Sequence, residues 1–443
     1  MGLLRELYAC RKAIEGIDND NAVRIKTHII LNNIYGVDIE KGAVDIARLR
    51  FWLALIVDEK TPHALPNMDF KIMQGNSLLE QYEGVELSGM SLNEQEKKRS
   101  RKKKEQAWQQ TLAFDEEASL NNIQNAIREY YGTDDHRQKT ELRNIINSNV
   151  KSYILNLKGC TPDIQRKLEN LPIPNDQFFL WHIYFKEVFD KGGFDILIAN
   201  PPYVQLSKQP NVSDSYKKTL KGIFGTSGGR LNLFIFMLHH AINITNKKGV
   251  VTYIIPNTIL TQEYYKDTRE LLLKHHLHTI VNYNDMEFDN AVVENVTLIL
   301  TKDSPKNNDV FVYSCKGKEI EYVKTINTIK FRKQKGFVFN INSNEFIDKL
   351  FEGTIPLNEL CNINQAIALK GDKSQSVKQE YSPNYYKFLD GRNIGRYSIA
   401  WSGLYLDYDV ERIHSCKRKD IFECKEKLLF RRVSSNLMAT YDD

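Results

Sequence analysis

The sequence predicts an α/β protein: a mostly parallel, doubly wound sheet with a helical insertion and a second, smaller domain of mixed α and β structure. Three observations carry this. Short apolar runs alternate with amphipathic helical stretches on both sides of a long polar segment, the rhythm of strands joined by crossover helices. The polar segment, 81–175, is rich in Lys, Glu, Gln and Asn and keeps helical spacing in QKTELRNIINSNVKSYIL. Beyond residue 305 the texture turns to short aromatic-rich pieces. The expected divisions are therefore 1–80, 81–175 (the insertion), 176–305 (the second half of the sheet domain) and 306–443 (a linker and the smaller domain).

Each element has its own warrant. Residues 1–33 read as helical, because apolar positions recur three to four apart in LLRELYACRKAI and AVRIKTHIILNN. IYGVD (34–38) is a short strand, and EKGAVDIARLRFWLALIV (40–57) is a helix expected to be buried on most of its circumference. FKIMQGNSLL (70–79) is a strand running into a turn. Strands follow at FDILIAN (194–200), GVVTYIIP (249–256), TIVNYN (279–284) and VTLILTK (296–302), with helices at LNLFIFMLHHAINIT (231–245) and EYYKDTRELLLKH (263–275). No helix separates the last two strands, which predicts an antiparallel pair at one edge. VFVYSCKG and GFVFNINS read as linking segments, and LYLDYDVERI and KLLFRRVSSNLMATYDD as further β-structure.

Composition narrows the class. With 443 residues, 42% of them hydrophobic and 26% charged, the chain is long enough for two or three packed domains. No apolar run approaches the ~20 residues of a membrane span, so no membrane association is expected. Six scattered cysteines form no CxxC pair, which points away from zinc or a disulfide framework and towards a reducing cytoplasm. His275, His276 and His278 lie close together without a carboxylate or cysteine partner at ligand spacing, so no metal is expected. The formal charge of +5 permits a polyanion partner, and the basic block EKKRSRKKKE (96–105) reads as a solvated, mobile insertion or as a phosphate-contacting arm.

Three strand ends carry chemistry, where an α/β sheet binds ligands. Asp38 could accept hydrogen bonds from a ribose diol, or cap the helix that begins near Lys41. Asn76-Ser77 follows a glycine and offers an amide suited to the edge of an adenine, or is ordinary turn material. The third, Asn200-Pro201-Pro202-Tyr203, is the specific one, because two prolines stop a strand abruptly. The Asn200 side-chain oxygen and the Pro201 carbonyl could accept both N–H bonds of an exocyclic amine, whose lone pair is otherwise delocalised into its ring. The prolines would keep those acceptors fixed, and Tyr203 would offer a face for a flat base.

NPPY after an apolar strand resembles the catalytic motif of N6-adenine DNA methyltransferases. Together with IYGVDIEKGAVDIARLRFWLAL, KIMQGNSLL, FFLWHIYFKEVFDKGGFDILIANPPYV and LNLFIFMLHHAINITNKKGVVTYIIPN, it is similar to the type IIG restriction–modification methylases and related phage-defence methylases. That resemblance implies a Rossmann-like class I methyltransferase sheet, S-adenosylmethionine as cofactor, and a partial α+β specificity domain of the TaqI type. It implies double-stranded DNA as partner and a target adenine flipped out of the helix. Asp38 and Ile39 would then lie at the cofactor ribose, Asn76 and Ser77 at its adenine, and Asn200 to Tyr203 at the reacting amine. Phe288 would stack on the flipped base, and Arg392, Arg396, Arg431 and Arg432 would contact DNA. Residues 1–37 lack the Gly-rich turn that approaches the methionine end of the cofactor in this family, and no nuclease motif is visible. The sheet is accordingly expected to be N-terminally incomplete, the chain to be truncated at both ends, and the missing turn to come from a separate N-terminal fragment. Weak cofactor binding by the chain alone follows from that expectation.

Overall fold

The computed structural model describes residues 1–15, 22–58, 65–87, 108–157, 159–173, 175–209, 212, 214–225, 231–283, 294–305, 308–317, 319–342, 349, 353–355 and 357–442. It divides into two compact units, Met1–Ile341 and Asn342–Asp443.

The first unit opens with helices α1 (Gly2–Glu15) and α2 (Ala22–Asn33), strand β1 (Gly36–Asp38), helix α3 (Lys41–Ile56) and strand β2 (Ile72–Gln74). β1 and β2 pair in parallel, Gly36 opposite Ile72 and Asp38 opposite Gln74. Val44, Phe51 and Leu55 of α3 pack against Ile25, Ile29, Ile34 and Ile72. The opposite side of α3 differs from expectation: Ile46, Leu49, Leu53 and Ile56 are exposed. A helix apolar all round still rests on a sheet by one stripe, and among the described residues nothing covers the other.

A tight hairpin, β3 (Gln81–Tyr82) and β4 (Val85–Glu86), leads into the polar segment. There α4 (Trp108–Gly132), α5 (His136–Leu155) and α6 (Pro162–Glu169) are helical, as their spacing predicts. Asp135 caps α5 by accepting from Arg137 N at 2.7 Å, and Thr161 caps α6, whose first residue is Pro162. These helices have no core of their own. Ile123, Ile127, Tyr130, Leu142, Ile146 and Val150 share one with Phe178, Phe179, Trp181 and Phe185. Asp69 ties the two parts together, pairing with Arg48 at 3.1 Å, with Arg143, and with the Tyr130 hydroxyl at 2.5 Å.

After the short helices α7 (Trp181–Tyr184) and α8 (Lys186–Asp190) comes the main sheet. Its strands are β5 (Phe194–Ala199), β6 (Thr245–Pro256), β7 (His276–Tyr283), β8 (Asn295–Thr301), β9 (Asp309–Lys316) and β10 (Glu319–Asn327), in the order β10-β9-β7-β8-β6-β5. Helices α9 (Asp214–Phe224), α10 (Leu233–Ile244), α11 (Lys266–Lys274) and α12 (Thr328–Lys333) complete the unit.

The sheet is mixed, not mostly parallel. β5 runs parallel to β6 and β7 to β9, but β8 is antiparallel to both β6 and β7, and β10 is antiparallel to β9. The β7–β8 pair is antiparallel as expected, yet it does not sit at an edge, because β8 inserts between β6 and β7. The segment read as a linker supplies β9 and β10, so the sheet unit runs to Ile341 rather than 305. One face of this sheet is closed: Val251, Tyr253 and Ile255 of β6 pack with Leu238, Leu272, Leu298 and Phe339. On the other face Ile196 and Ile198 of β5 are exposed. Among the described residues that face is therefore incompletely covered at β5.

β1 and β5 start side by side, with the rings of Tyr35 and Phe194 5.7 Å apart, and Val37 and Leu197 share one apolar cluster. The two strands nevertheless belong to separate sheets, and the edge of each that lies away from its single partner is open among the described residues.

The second unit is a set of short pairings. Helices α13 (Leu357–Leu360) and α14 (Lys419–Phe422) accompany strands β11 (Ala368–Leu369), β12 (Val377–Lys378), β13 (Tyr385–Lys387), β14 (Ile394–Gly395), β15 (Ser398–Ile399), β16 (Tyr405–Asp407), β17 (Ile413–Ser415), β18 (Lys427–Phe430) and β19 (Ala439–Asp442). β16 is the centre of a three-stranded sheet between β12 and β13, while β14–β15 and β18–β19 are antiparallel hairpins.

Candidate active site

Asp38 ends β1 exposed, and its Oδ1 accepts from Glu40 N at 2.8 Å, which turns the chain into α3. The N-cap of α3 is Glu40 and not Asp38, whose Oδ1 instead closes the turn that leads into it. Ile39 is exposed, with its carbonyl accepting from Gln74 Nε2 at 3.2 Å. Gly75 N donates to Asp38 O at 2.9 Å, so the acid and the Asn76 loop are brought together directly. Gly75 has no room for a side chain, since a Cβ there would lie 2.7 Å from the Phe179 ring.

Asn76 uses Oδ1 to accept from Leu78 N at 3.1 Å and is also hydrogen-bonded by the Tyr216 side chain. Ser77 is fixed through its carbonyl, which accepts from Trp181 Nε1 at 3.0 Å. Phe179 N donates to Leu79 O at 2.8 Å. Glu80 completes the clamp: its carboxylate accepts from His182 N at 2.8 Å and lies 2.6 Å from His182 Nδ1. Burial raises the Glu80 pKa above the usual carboxylate value, opposed by these contacts with His182. None of Trp181, His182, Glu80 or Tyr216 carries a motif of its own. Only the aromatic density of FFLWHIYF hinted that this stretch is a packing hub.

Asn200 follows β5 directly and is exposed, with Pro201 buried behind it. The Tyr203 hydroxyl lies 3.2 Å from Asn200 Oδ1 and 3.1 Å from the Ile254 carbonyl, so it can donate to either. Its ring meets Phe234 edge-on, with centroids 6.2 Å apart, and partial burial raises its pKa. The hydroxyl is thus a brace for the asparagine amide, a role that the motif alone did not reveal. Leu78 and Leu79 share an apolar cluster with Leu206, Leu220 and Phe236, which joins the Asn76 loop to the segment after Tyr203. Phe288 and the basic block at 96–105 lie outside the described residues.

In α10, His239 is buried and His240 is half-buried. Burial lowers each pKa from 6.5 to about 4, and His240 Nε2 has no hydrogen-bond partner. Below pH ~6.5 the unfolded chain takes up protons that these folded imidazoles refuse. Their contribution is complete above that value and is lost as pH falls towards 4; Glu80, with its raised pKa, acts with the opposite sign. Replacing His240 by Gln is expected to shrink the fall in Tm between pH 7.5 and 5 by several degrees, measured by thermal unfolding of both proteins.

In the second unit Arg392, Arg396 and Arg432 are exposed and Arg431 is half-buried. Arg431 N donates to Met438 O and Tyr397 N to Ala439 O, each at 2.9 Å, so the segments carrying the arginines adjoin.

The unit thus carries an acid, an amide and an Asn-Pro-Pro-Tyr turn at its strand ends. The Eco57I restriction-modification methylase family matches residues 32–288, more than half of the sequence, and the chain belongs to that family. Residues 386–443 match the TaqI-like C-terminal specificity domain.

Relatives include a putative type II restriction enzyme and methyltransferase of Methanocaldococcus jannaschii, 26% identical over 517 residues. That match covers 99% of this chain and 41% of the relative. The modification methylase CviBIII of Paramecium bursaria Chlorella virus NC1A is 32% identical over 106 residues, 24% of this chain and 23% of the relative. The chain thus spans less than half the length of either curated relative. Among solved structures, the type ISP restriction-modification enzyme LlaGI is 12% identical with a TM-score of 0.36, covering 72% of this chain and 20% of that one. The type IIG restriction endonuclease BpuSI is 12% identical with a TM-score of 0.31, covering 49% and 31%. Among the described residues no helix is long and apolar enough to cross a membrane.

Proposed function

We propose that this chain is the catalytic and recognition portion of a DNA methyltransferase that methylates the exocyclic N6 of adenine in duplex DNA, in restriction–modification or phage defence. The observation that carries the reading is the Asn200 amide, braced by Tyr203 at the end of β5 and joined through one apolar cluster to the Asn76 loop.

The residues present fit S-adenosylmethionine. Asp38 Oδ2 and Ile39 would hold the ribose, and Asn76 and Ser77 would meet the adenine edge; the turn at Asp38 and the tight packing of Gly75 on Phe179 support this reading. Bound there, the cofactor supplies an electrophilic methyl group. The chain's own work is to present the acceptor. Asn200 Oδ1 and the Pro201 carbonyl take the two N–H bonds of the target amine and draw it towards tetrahedral geometry, which frees its lone pair. Two prolines and the Tyr203 brace hold these acceptors still, so little reorganisation remains at the moment of transfer. Tyr203 and Phe288 contribute aromatic faces for the extruded base.

Plasmid DNA incubated with the protein and labelled S-adenosylmethionine, digested and resolved by mass spectrometry, is expected to yield N6-methyladenine. Label in RNA or in a protein glutamine instead, or duplex binding without any methyl transfer, would overturn the assignment.

A further inference from the structure

Tyr397 occupies the turn between β14 and β15 with φ of 60°, a left-handed conformation that aromatic residues rarely adopt. Its side chain is 82% exposed. The turn is not loose, because Tyr397 N donates to Ala439 O at 2.9 Å and Ala400 N to Asn393 O at 2.8 Å. A backbone held from both sides thus projects a large ring outwards in a strained conformation, and nothing in the local fold uses that ring.

Its surroundings say what it meets. The Arg396 guanidinium lies 5.5 Å from the ring centroid. Arg431 and Arg432 follow β18 on the hairpin to which Tyr397 is bonded, and Arg431 Cγ is 3.9 Å from the position of a Cβ on Gly391, the neighbour of Arg392. The nearest acid in this stretch, Asp390, is already taken by Lys373 at 3.1 Å and by the backbone of its own turn. Val433 and Leu437, 80% and 77% exposed, stand on the adjoining β18–β19 turn. An exposed aromatic ring with one guanidinium beside it and further arginines on the adjoining hairpin fits a polyanion that also offers flat apolar faces. Nucleic acid has both.

We propose that Tyr397 is a wedge that enters a base step of duplex DNA, stacking on one base while the flanking arginines hold the phosphates. This rests on the reading of the second unit as a DNA interface and adds to it a distortion of the duplex made by one named residue. The arginines would supply salt-dependent affinity, and the ring would supply a term that salt hardly touches.

The test begins by selecting duplexes from a random-sequence pool with the full 443-residue chain. Affinity of the selected duplex is then measured for wild type, Tyr397→Ala, Tyr397→Trp and Tyr397→Asn. Asn relieves the backbone at positive φ while lacking the ring, so a loss shared by Ala and Asn is not a folding effect. Ala and Asn are expected to weaken binding about 10- to 100-fold with an unchanged salt slope, and Trp to retain it. 2-Aminopurine placed at successive steps should brighten at one step with wild type and at none with Tyr397→Ala. Equal affinity of all four proteins, or a fall in salt slope in place of the fluorescence change, overturns the wedge alone. Failure of wild type to enrich any duplex overturns the wedge and the DNA interface together, while leaving the methyl-transfer assay as a separate readout of the catalytic unit.

Discussion

Asn200→Ala is expected to lower methyl transfer by about 10²- to 10³-fold or more, with DNA affinity within about twofold of wild type. The magnitude follows from removing one preorganised acceptor at the reacting nitrogen, an interaction strengthened only as the amine becomes tetrahedral. Loss should therefore fall on kcat and kcat/KM together, not on KM. Tyr203→Phe keeps the ring and removes only the brace 3.2 Å from Asn200 Oδ1, so a smaller cost of about 5- to 10-fold is expected. Single-turnover transfer of labelled methyl groups to plasmid DNA, with binding measured in parallel, checks both. An Asn200→Ala protein that transfers at the wild-type rate would remove this residue from the chemistry.

The largest effect on stability is expected at Arg269, which is 0% exposed at the first turn of α11. Its guanidinium donates to Gly336 O at 3.0 and 2.7 Å, to Ile259 O at 2.8 Å and to Gln262 O at 2.8 Å. Three carbonyls from two separate segments thus converge on one side chain, and burial lowers its pKa without threatening its charge. Glu263 is its electrostatic counterweight. Arg269→Met fills similar volume but takes the side-chain donor from Ile259 O and Gly336 O, while Gln262 O keeps Tyr265 N at 3.1 Å, for an expected cost of about 3 kcal/mol. Lys should rescue little, since a single ammonium cannot reach three acceptors in a plane. Urea unfolding of the three proteins measures this, and a Met variant within 1 kcal/mol of wild type would show that the carbonyls find other partners.

How far the sequence could be read depended on the range of the interaction. β5, α10 and the β7–β8 pair are local patterns, and each appears where its apolar run placed it. Strand order is not local. Nothing in VTLILTK states that β8 lies between β6 and β7, because that choice is made by side chains far apart in sequence, such as Val251 opposite Leu300 and Ile280 opposite Leu298. β9 and β10 were hidden for a related reason: the exposed edge strand EIEYVKTIN carries Glu, Tyr and Lys, and its pairing with β9 is visible only in three dimensions. At the proposed site, the Asn-Pro-Pro-Tyr turn stood out because two prolines stop a strand, while the approach of Asp38 to the Asn76 loop through Gly75 N is a contact between strands that no residue type states. The clamp of Trp181, His182 and Glu80 was not legible, since its contacts span about a hundred residues of sequence and use backbone carbonyls that no residue type advertises.

Among the described residues β5 has one open edge, with Ile196 and Ile198 exposed beside it, and this has a consequence for handling the protein. An unpaired strand end with apolar neighbours is a template on which another copy can add its own strand, and β5 carries only Asp195 as a guard. Purified material would then behave as a colloid whose lifetime is set by dilution and surface charge, and a sample that clouds on concentration need not contain a single misfolded molecule.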